Sequence, residues 1–220
     1  MHLAEELALV AIDPDSGRHA LGLRSQLNAC LAGLLVAELM LDGVIEPADK
    51  TDRVVATGKA VPTAPILAAA TAVVIEAGPK LKGILSHMDR GLNQRLGAGT
   101  WDATVGGLVE AGVLAAPGGR LRSHHKALSP GGRQLIVDEL RIAADSDSAL
   151  DPRTALLLSM TGPANLLEVV APTRAIRNHA RERIDHALDN TALQPIGKMV
   201  RKLISEAVTA AAAGSVAAMG

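Results

Sequence analysis

The residues of this 220-residue chain that could do chemistry are seven histidines, a few carboxylates near apolar runs, scattered serines, one cysteine and two arginine-rich clusters. His124 and His125 are adjacent on an expected strand, so their side chains face opposite ways. His179 and His186 share one face of an expected helix, seven residues apart, but no Cys or carboxylate completes a tight ligand spacing around them. No metal site is expected. Glu5, Glu6 and Glu38 lie in or beside apolar helices. As an acid–base pair they would need a pocket that separates their pKa values. Glu5 and Glu6 read instead as first-turn residues that complement a helix dipole, and Glu38 as the partner of an arginine. Ser25, Ser86 and Ser129 lack a Gly-x-Ser-x-Gly setting, and Gly97-Ala-Gly99 follows no convincing strand, so neither a nucleophile elbow nor a phosphate loop is present. Cys30 sits inside an apolar helical run and reads as a small buried hydrophobe. No catalytic residue and no cofactor follow from these patterns.

The arginines carry more. Arg120, Arg122, Lys126 and Arg133 come with His124 and His125 and with no acid between Pro117 and Gln134. Arg174, Arg177, Arg181 and Arg183 share one helix with Glu182 and Asp185 interleaved. Each cluster is either a solvated face or an anion contact, to the phosphate of a nucleic acid or of a lipid headgroup.

Composition narrows the choice. The formal net charge is -1, so any attraction to a polyanion must be local. There is no Phe, no Tyr and one Trp, which weakens a single-stranded nucleic-acid reading that depends on base stacking. The core must be aliphatic, and hydrophobic residues at 48% exclude a disordered chain. The start of the chain lacks a basic n-region and a long apolar core, so it does not read as a signal peptide. Ala207 to Met219 comes nearest to a membrane span and is too short. One unpaired cysteine fits a reducing, cytoplasmic setting.

The elements that must position these groups are mostly helices. Leu3 to Ile12 predicts a first helix with Leu3, Leu7 and Val10 on one face. Gln26 to Leu41 is apolar on most sides and predicts a central helix, with Gly43 as its C′ residue. Val44-Ile45 and Arg53 to Ala56 predict two short strands. Further helices are expected over Pro65 to Ala77, Leu81 to Asp89, and Asn93 to Ala111; the last carries enough glycine to start only near Thr100. A hairpin is expected around Pro117-Gly118-Gly119, with Arg120 to Leu128 as its second strand. Helices over Pro130 to Ala143, Pro152 to Met160, Pro163 to Val170, Thr173 to Leu188 and Gln194 to Ala218 complete a compact single-domain helical fold spanning 1–220, with small β-hairpins. Thr100 to Leu128 also fits a winged helix, but its recognition helix would hold two acids and no Arg or Lys, which weighs against a nucleic-acid partner.

Three stretches in order, Leu3-Ala-Glu-Glu-Leu-Ala-Leu-Val-Ala-Ile-Asp13, Cys30-Leu-Ala-Gly-Leu-Leu-Val-Ala-Glu-Leu-Met-Leu-Asp-Gly-Val-Ile45 and Leu108-Val-Glu-Ala-Gly-Val-Leu114, followed by the segment starting Asp151-Pro-Arg-Thr, resemble the Golgi phosphoprotein 3 family, in its bacterial, actinobacterial form. The resemblance implies a helical fold around Gln26 to Leu41 and a non-enzymatic, peripheral membrane protein at the cytoplasmic face of the inner membrane. In eukaryotic members a Trp and several Arg residues bind phosphatidylinositol 4-phosphate. Their positions correspond here to Leu23, Ala32, Ala98 and Trp101. A replacement headgroup site is therefore expected from Arg24, Arg90, Arg95 and Trp101. The resemblance also implies self-association through the hairpin near Pro117 to Leu128. The alternatives are a soluble interaction scaffold that has lost the lipid pocket, and a winged-helix nucleic-acid binder.

Overall fold

The structure is a computed structural model that describes residues 1–17, 24–48, 52–116, 130–189, 191, 193–202 and 205–206. Helices dominate: α1 (Leu3–Ala11), α2 (Arg24–Leu41), α3 (Pro65–Ala77), α4 (Leu81–Leu96), α5 (Thr100–Glu110), α6 (Pro130–Asp145), α7 (Pro152–Thr161), α8 (Leu167–Val170) and α9 (Arg174–Leu188). The chain is helical again over 194–202, here α10. The strands β1 (Ile45–Pro47) and β2 (Val54–Ala56) pair antiparallel, Ile45 opposite Ala56. The mostly helical fold class holds.

The expected central helix is α2, which is already helical at Arg24, ahead of the expected Gln26. It packs against α1, α3, α4, α5 and α7. Gly33 admits α10: a Cβ there would stand 2.5 Å from Val200 Cγ2. The helix ends as expected at Gly43. With φ at 68° that residue turns the chain, Val44 N–H reaches Leu39 O at 2.8 Å and Gly43 N–H reaches Met40 O at 3.0 Å. That pair of bonds is a Schellman cap, which only a residue tolerant of positive φ forms cheaply.

Helix α1 is more enclosed than a single apolar face implies. Seven of its 9 residues are buried, because α2, α5, α6 and α7 surround it. Glycine in α5 serves the same closeness, since a Cβ on Gly107 would lie 3.0 Å from Glu5 Oε1.

The largest departure from the sequence reading concerns α4. It runs through Asn93 to Leu96, which were expected to open the next helix, and stops where Gly97 adopts φ 67°. Helix α5 then begins at Thr100, the later of the two starts expected. Gly91 lies inside α4 because α3 crosses there; a Cβ would meet Val73 Cγ2 at 2.5 Å. The helix expected from Pro163 shrinks to Leu167–Val170. The preceding turn places Asn165 at φ 59° and is closed by Leu166 N–H to Thr161 O at 2.7 Å. The strand expected over Arg120 to Leu128 and the Ala-rich tail lie outside the described residues.

Candidate functional site

The acidic residues near the chain start form a structural knot. His2 caps α1: Glu5 N–H donates to His2 Nδ1 at 3.4 Å, and His2 N–H donates to Glu5 Oε2 at 3.0 Å. This is a capping box with histidine in the place of serine. Since Nδ1 accepts, the ring proton sits on Nε2, 3.4 Å from Glu5 Oε1. Burial, then the N-terminal charge and Arg153, lower the His2 pKa from 6.5 to about 4. Burial in turn raises that of Glu5. Leu3 N–H donates to Glu38 Oε2 at 2.8 Å, so α2 supplies a second carboxylate to the start of α1.

Arg153, from α7, joins these acids. Its Nη1 donates to both oxygens of Glu38, at 3.0 and 2.9 Å, and its Nη2 to Glu6 Oε1 at 2.8 Å. Burial opposes its charge, but Glu6 and Glu38 outweigh that and raise its pKa. Asp151 sets the register by accepting from Arg153 N–H at 3.0 Å and Thr154 N–H at 3.1 Å, an N-cap ahead of Pro152. Glu38 is thus the partner of an arginine; Glu6 and Glu38 hold α1, α2 and α7 together, while Glu5 caps α1 with His2.

Several arginines of the two clusters are engaged at helix ends, where backbone carbonyls lack partners and the dipole is negative. Arg133 donates to Ile12 O at 2.8 Å and Val10 O at 3.2 Å, closing α1. Arg183 donates to Ala143 O at 2.5 Å and to Ser148 O, closing α6. Arg177 donates from Nη1 to Ala171 O at 3.1 Å and Pro172 O at 2.9 Å. An anion contact through Arg133 or Arg183 would give up these bonds, and the remaining basic residues of the hairpin cluster, Arg120, Arg122 and Lys126, lie outside the described residues.

The four expected headgroup residues fall into two places. Arg24 is exposed at the start of α2 and ion-pairs with Asp102. One turn on, Asn28 Nδ2 donates to Asp89 Oδ1 at 3.0 Å, and the same oxygen accepts Thr100 N–H at 2.7 Å. Trp101 lies beside this group but is only 4% exposed, so its ring belongs to the core and does not cover a surface ligand. The side chains around Arg24 are net acidic. Arg90 and Arg95 instead face the groove between α3 and α4, a cavity of about 260 Å³ lined also by His87, Gln94, Glu76 and Val73. At about 100° per residue, positions 87, 90 and 94 stand roughly 100 to 160° around α4 from Asp89. One helix therefore separates the two halves of the expected site. Within the groove Arg95 ion-pairs with Glu76 and donates to Gly91 O at 3.1 Å, while Arg90 is exposed and makes no hydrogen bond or ion pair among the described residues.

A larger cavity, about 610 Å³, opens between α7 and α9 and is bordered by Arg177, Arg181 and Arg201. Sequence reading found the first two as part of the α9 cluster. It missed Arg201, whose approach depends on how α10 folds back.

Comparison with known proteins adds the decisive observation: the model of the Golgi phosphoprotein 3 (GPP34) family matches residues 3–207. The chain belongs to this family. No curated protein compared with it matches. In this Golgi phosphoprotein 3 family member, of the positions expected to match the eukaryotic headgroup pocket, Ala32 and Trp101 are buried, Ala98 lies in the α4–α5 link, and Leu23 lies outside the described residues. The Pro117 to Leu128 segment, expected to mediate self-association, is also outside them. Among the described residues no three His, Cys, Asp or Glu side chains gather as metal ligands, and no helix is long and apolar enough to cross a membrane.

Proposed function

We propose that this Golgi phosphoprotein 3 family member is a non-enzymatic, peripheral membrane protein that binds the phosphorylated headgroup of an anionic lipid, of the phosphatidylinositol 4-phosphate type, at the cytoplasmic face of a membrane. The headgroup site in this reading is the α3–α4 groove. The observation that supports it best is Arg90, an exposed guanidinium with no partner among the described residues, beside Arg95, His87 and Gln94 over a cavity of about 260 Å³. That volume lies just below the usual range for small-ligand pockets and suits a headgroup more than a whole lipid. Arg90 and Arg95 together outweigh Glu76, and a planar guanidinium matches two phosphate oxygens at once. Arg24, whose charge Asp102 balances, has no role in this site.

The test is cosedimentation with phosphatidylcholine vesicles that carry phosphatidylinositol 4-phosphate, or phosphatidylserine at matched charge. The expected result is retention on the phosphoinositide vesicles that weakens with salt and falls about tenfold in Arg90→Ala and in Arg95→Ala, with Arg24→Ala unchanged. Equal retention of wild type and Arg90→Ala would overturn this reading. Absence of retention on every anionic vesicle would leave the soluble scaffold in its place.

A further inference from the structure

We propose a second anion site, in the cavity of about 610 Å³ between α7 and α9, that takes a phosphomonoester carrying an apolar group. It is independent of the α3–α4 groove and shares no residue with it.

The cationic side is built from two helices. Arg177 and Arg181 are four residues apart on α9 and so project from one face, and Arg201 approaches from α10. Their engagement differs in a useful way. Arg177 is anchored by one nitrogen, Nη1, on the carbonyls of Ala171 and Pro172, which leaves Nε and Nη2 to donate elsewhere. Arg201 meets Asp185 at 3.5 Å, beyond the range of a strong charge-assisted bond. Arg181 is exposed and has no hydrogen bond or ion pair among the described residues. Three guanidiniums face two carboxylates, Glu168 and Asp185, so the rim keeps an excess positive charge that a phosphate dianion would reverse.

The opposite side is apolar. Pro163 and Leu167, both half-buried at the α7–α8 turn, border the cavity, with the buried Leu158 of α7 behind them. A bare inorganic anion would leave this floor unused, whereas a short alkyl or acyl chain covers it. The volume falls within the usual range for small-ligand sites. Asn165, which also lines the cavity, is the one non-glycine residue with positive φ among the described residues, so the α7–α8 turn holds its shape at some backbone cost.

The test uses the full chain and two soluble probes, hexyl phosphate and inorganic phosphate, followed by calorimetry and by NMR of the arginine Nε–H groups. Saturable binding of hexyl phosphate, tighter than that of inorganic phosphate, is expected, with shifts at Arg177, Arg181 and Arg201. Arg181→Ala, an exposed position where folding is preserved, should weaken it about tenfold, and Arg181→Lys should recover part of the loss. Arg24→Ala, whose charge Asp102 already balances, should leave it unchanged. No saturable binding, or equal affinity in wild type and Arg181→Ala, overturns the proposal. Where the probe binds as expected, vesicles containing phosphatidic acid identify the source of the phosphate. Competition by hexyl phosphate that disappears in Arg181→Ala assigns it to a lipid, and its absence in wild type assigns it to a soluble phosphomonoester; both results confirm the site. Loss of vesicle binding in Arg90→Ala alone, with hexyl phosphate still bound, would separate this site from the headgroup groove.

Discussion

Arg153→Ala should destabilise the protein by about 3 kcal/mol. The side chain is 34% exposed, and its partners Glu6 and Glu38 are 19% and 12% exposed, so the cluster is neither a surface pair nor a fully buried one. Exposed pairs contribute about 0 to 1 kcal/mol, and removing one partner of a buried pair costs about 3 to 5 kcal/mol. The geometry puts this case in the upper half of that interval. One guanidinium supplies three bonds of 2.8 to 3.0 Å to two carboxylates, and its loss leaves both acids close to Glu5 with no cation between them. Leu3 N–H still satisfies one oxygen of Glu38, which keeps the figure below the ceiling. Urea unfolding followed by circular dichroism measures it, with an unchanged m-value showing that the native state is still compact. If stranded carboxylates are the cause, adding Glu6→Gln and Glu38→Gln to Arg153→Ala should recover more than half the loss. A loss below about 1 kcal/mol, or an additive triple variant, would refute the role given to Arg153.

Three further outcomes follow from the same packing. His2 has its pKa lowered from 6.5 to about 4, so above 6.5 it is neutral in both states. Below 6.5 the unfolded chain takes the proton first, and stability falls until the folded pKa is passed. Between about pH 7.5 and about pH 5 the loss due to His2 is roughly 2 kcal/mol, and Glu5, whose pKa is raised, offsets part of it. His2→Asn keeps a capping acceptor without that titration, so its stability measured by denaturant should fall less over this window; equal pH dependence would exclude His2. Gly91→Ala should cost about 1 to 3 kcal/mol and lower the melting temperature, because its Cβ would overlap Val73 Cγ2 at 2.5 Å. Arg133→Ala should cost about 1 to 2 kcal/mol and speed amide exchange near the end of α1, whose carbonyls at Val10 and Ile12 lose their donor.

Most of the fold is legible in the sequence because its helices carry their own punctuation. Pro65 and Pro152 stand at helix starts, Thr173 caps α9 by accepting from Ile176 N–H at 3.3 Å, and Gly43 closes α2. The misreading at Asn93 has a physical source. Gly91 looks like a helix breaker, yet it lies within α4 because Val73 of α3 needs the space a side chain would fill. The cost of glycine is local and visible in the sequence, while the close helix crossing that repays it is not.

The proposed headgroup site is legible only in part, for a related reason. Arginine in a sequence signals charge, but what that charge does depends on which helix end lies within reach. Arg133 and Arg183 look as free as Arg90 and Arg181 in the sequence, yet the carbonyls they hold come from residues up to 123 positions away. Trp101 is the same problem in reverse: a lone aromatic in an aliphatic chain suggests a ligand platform, but among these Leu, Val and Ala side chains it is also the largest apolar body available to the core. An arginine receives an anion at least cost where no helix C-terminus and no carboxylate already holds it. Applied to the described residues, that criterion sets aside Arg24 and Arg133, and it brings forward Arg90 and Arg181, each exposed, unpaired and at the edge of a cavity. If both Arg90→Ala and Arg181→Ala leave anion binding untouched, the criterion itself fails for this family member, and the positive charge of these faces serves solvation alone.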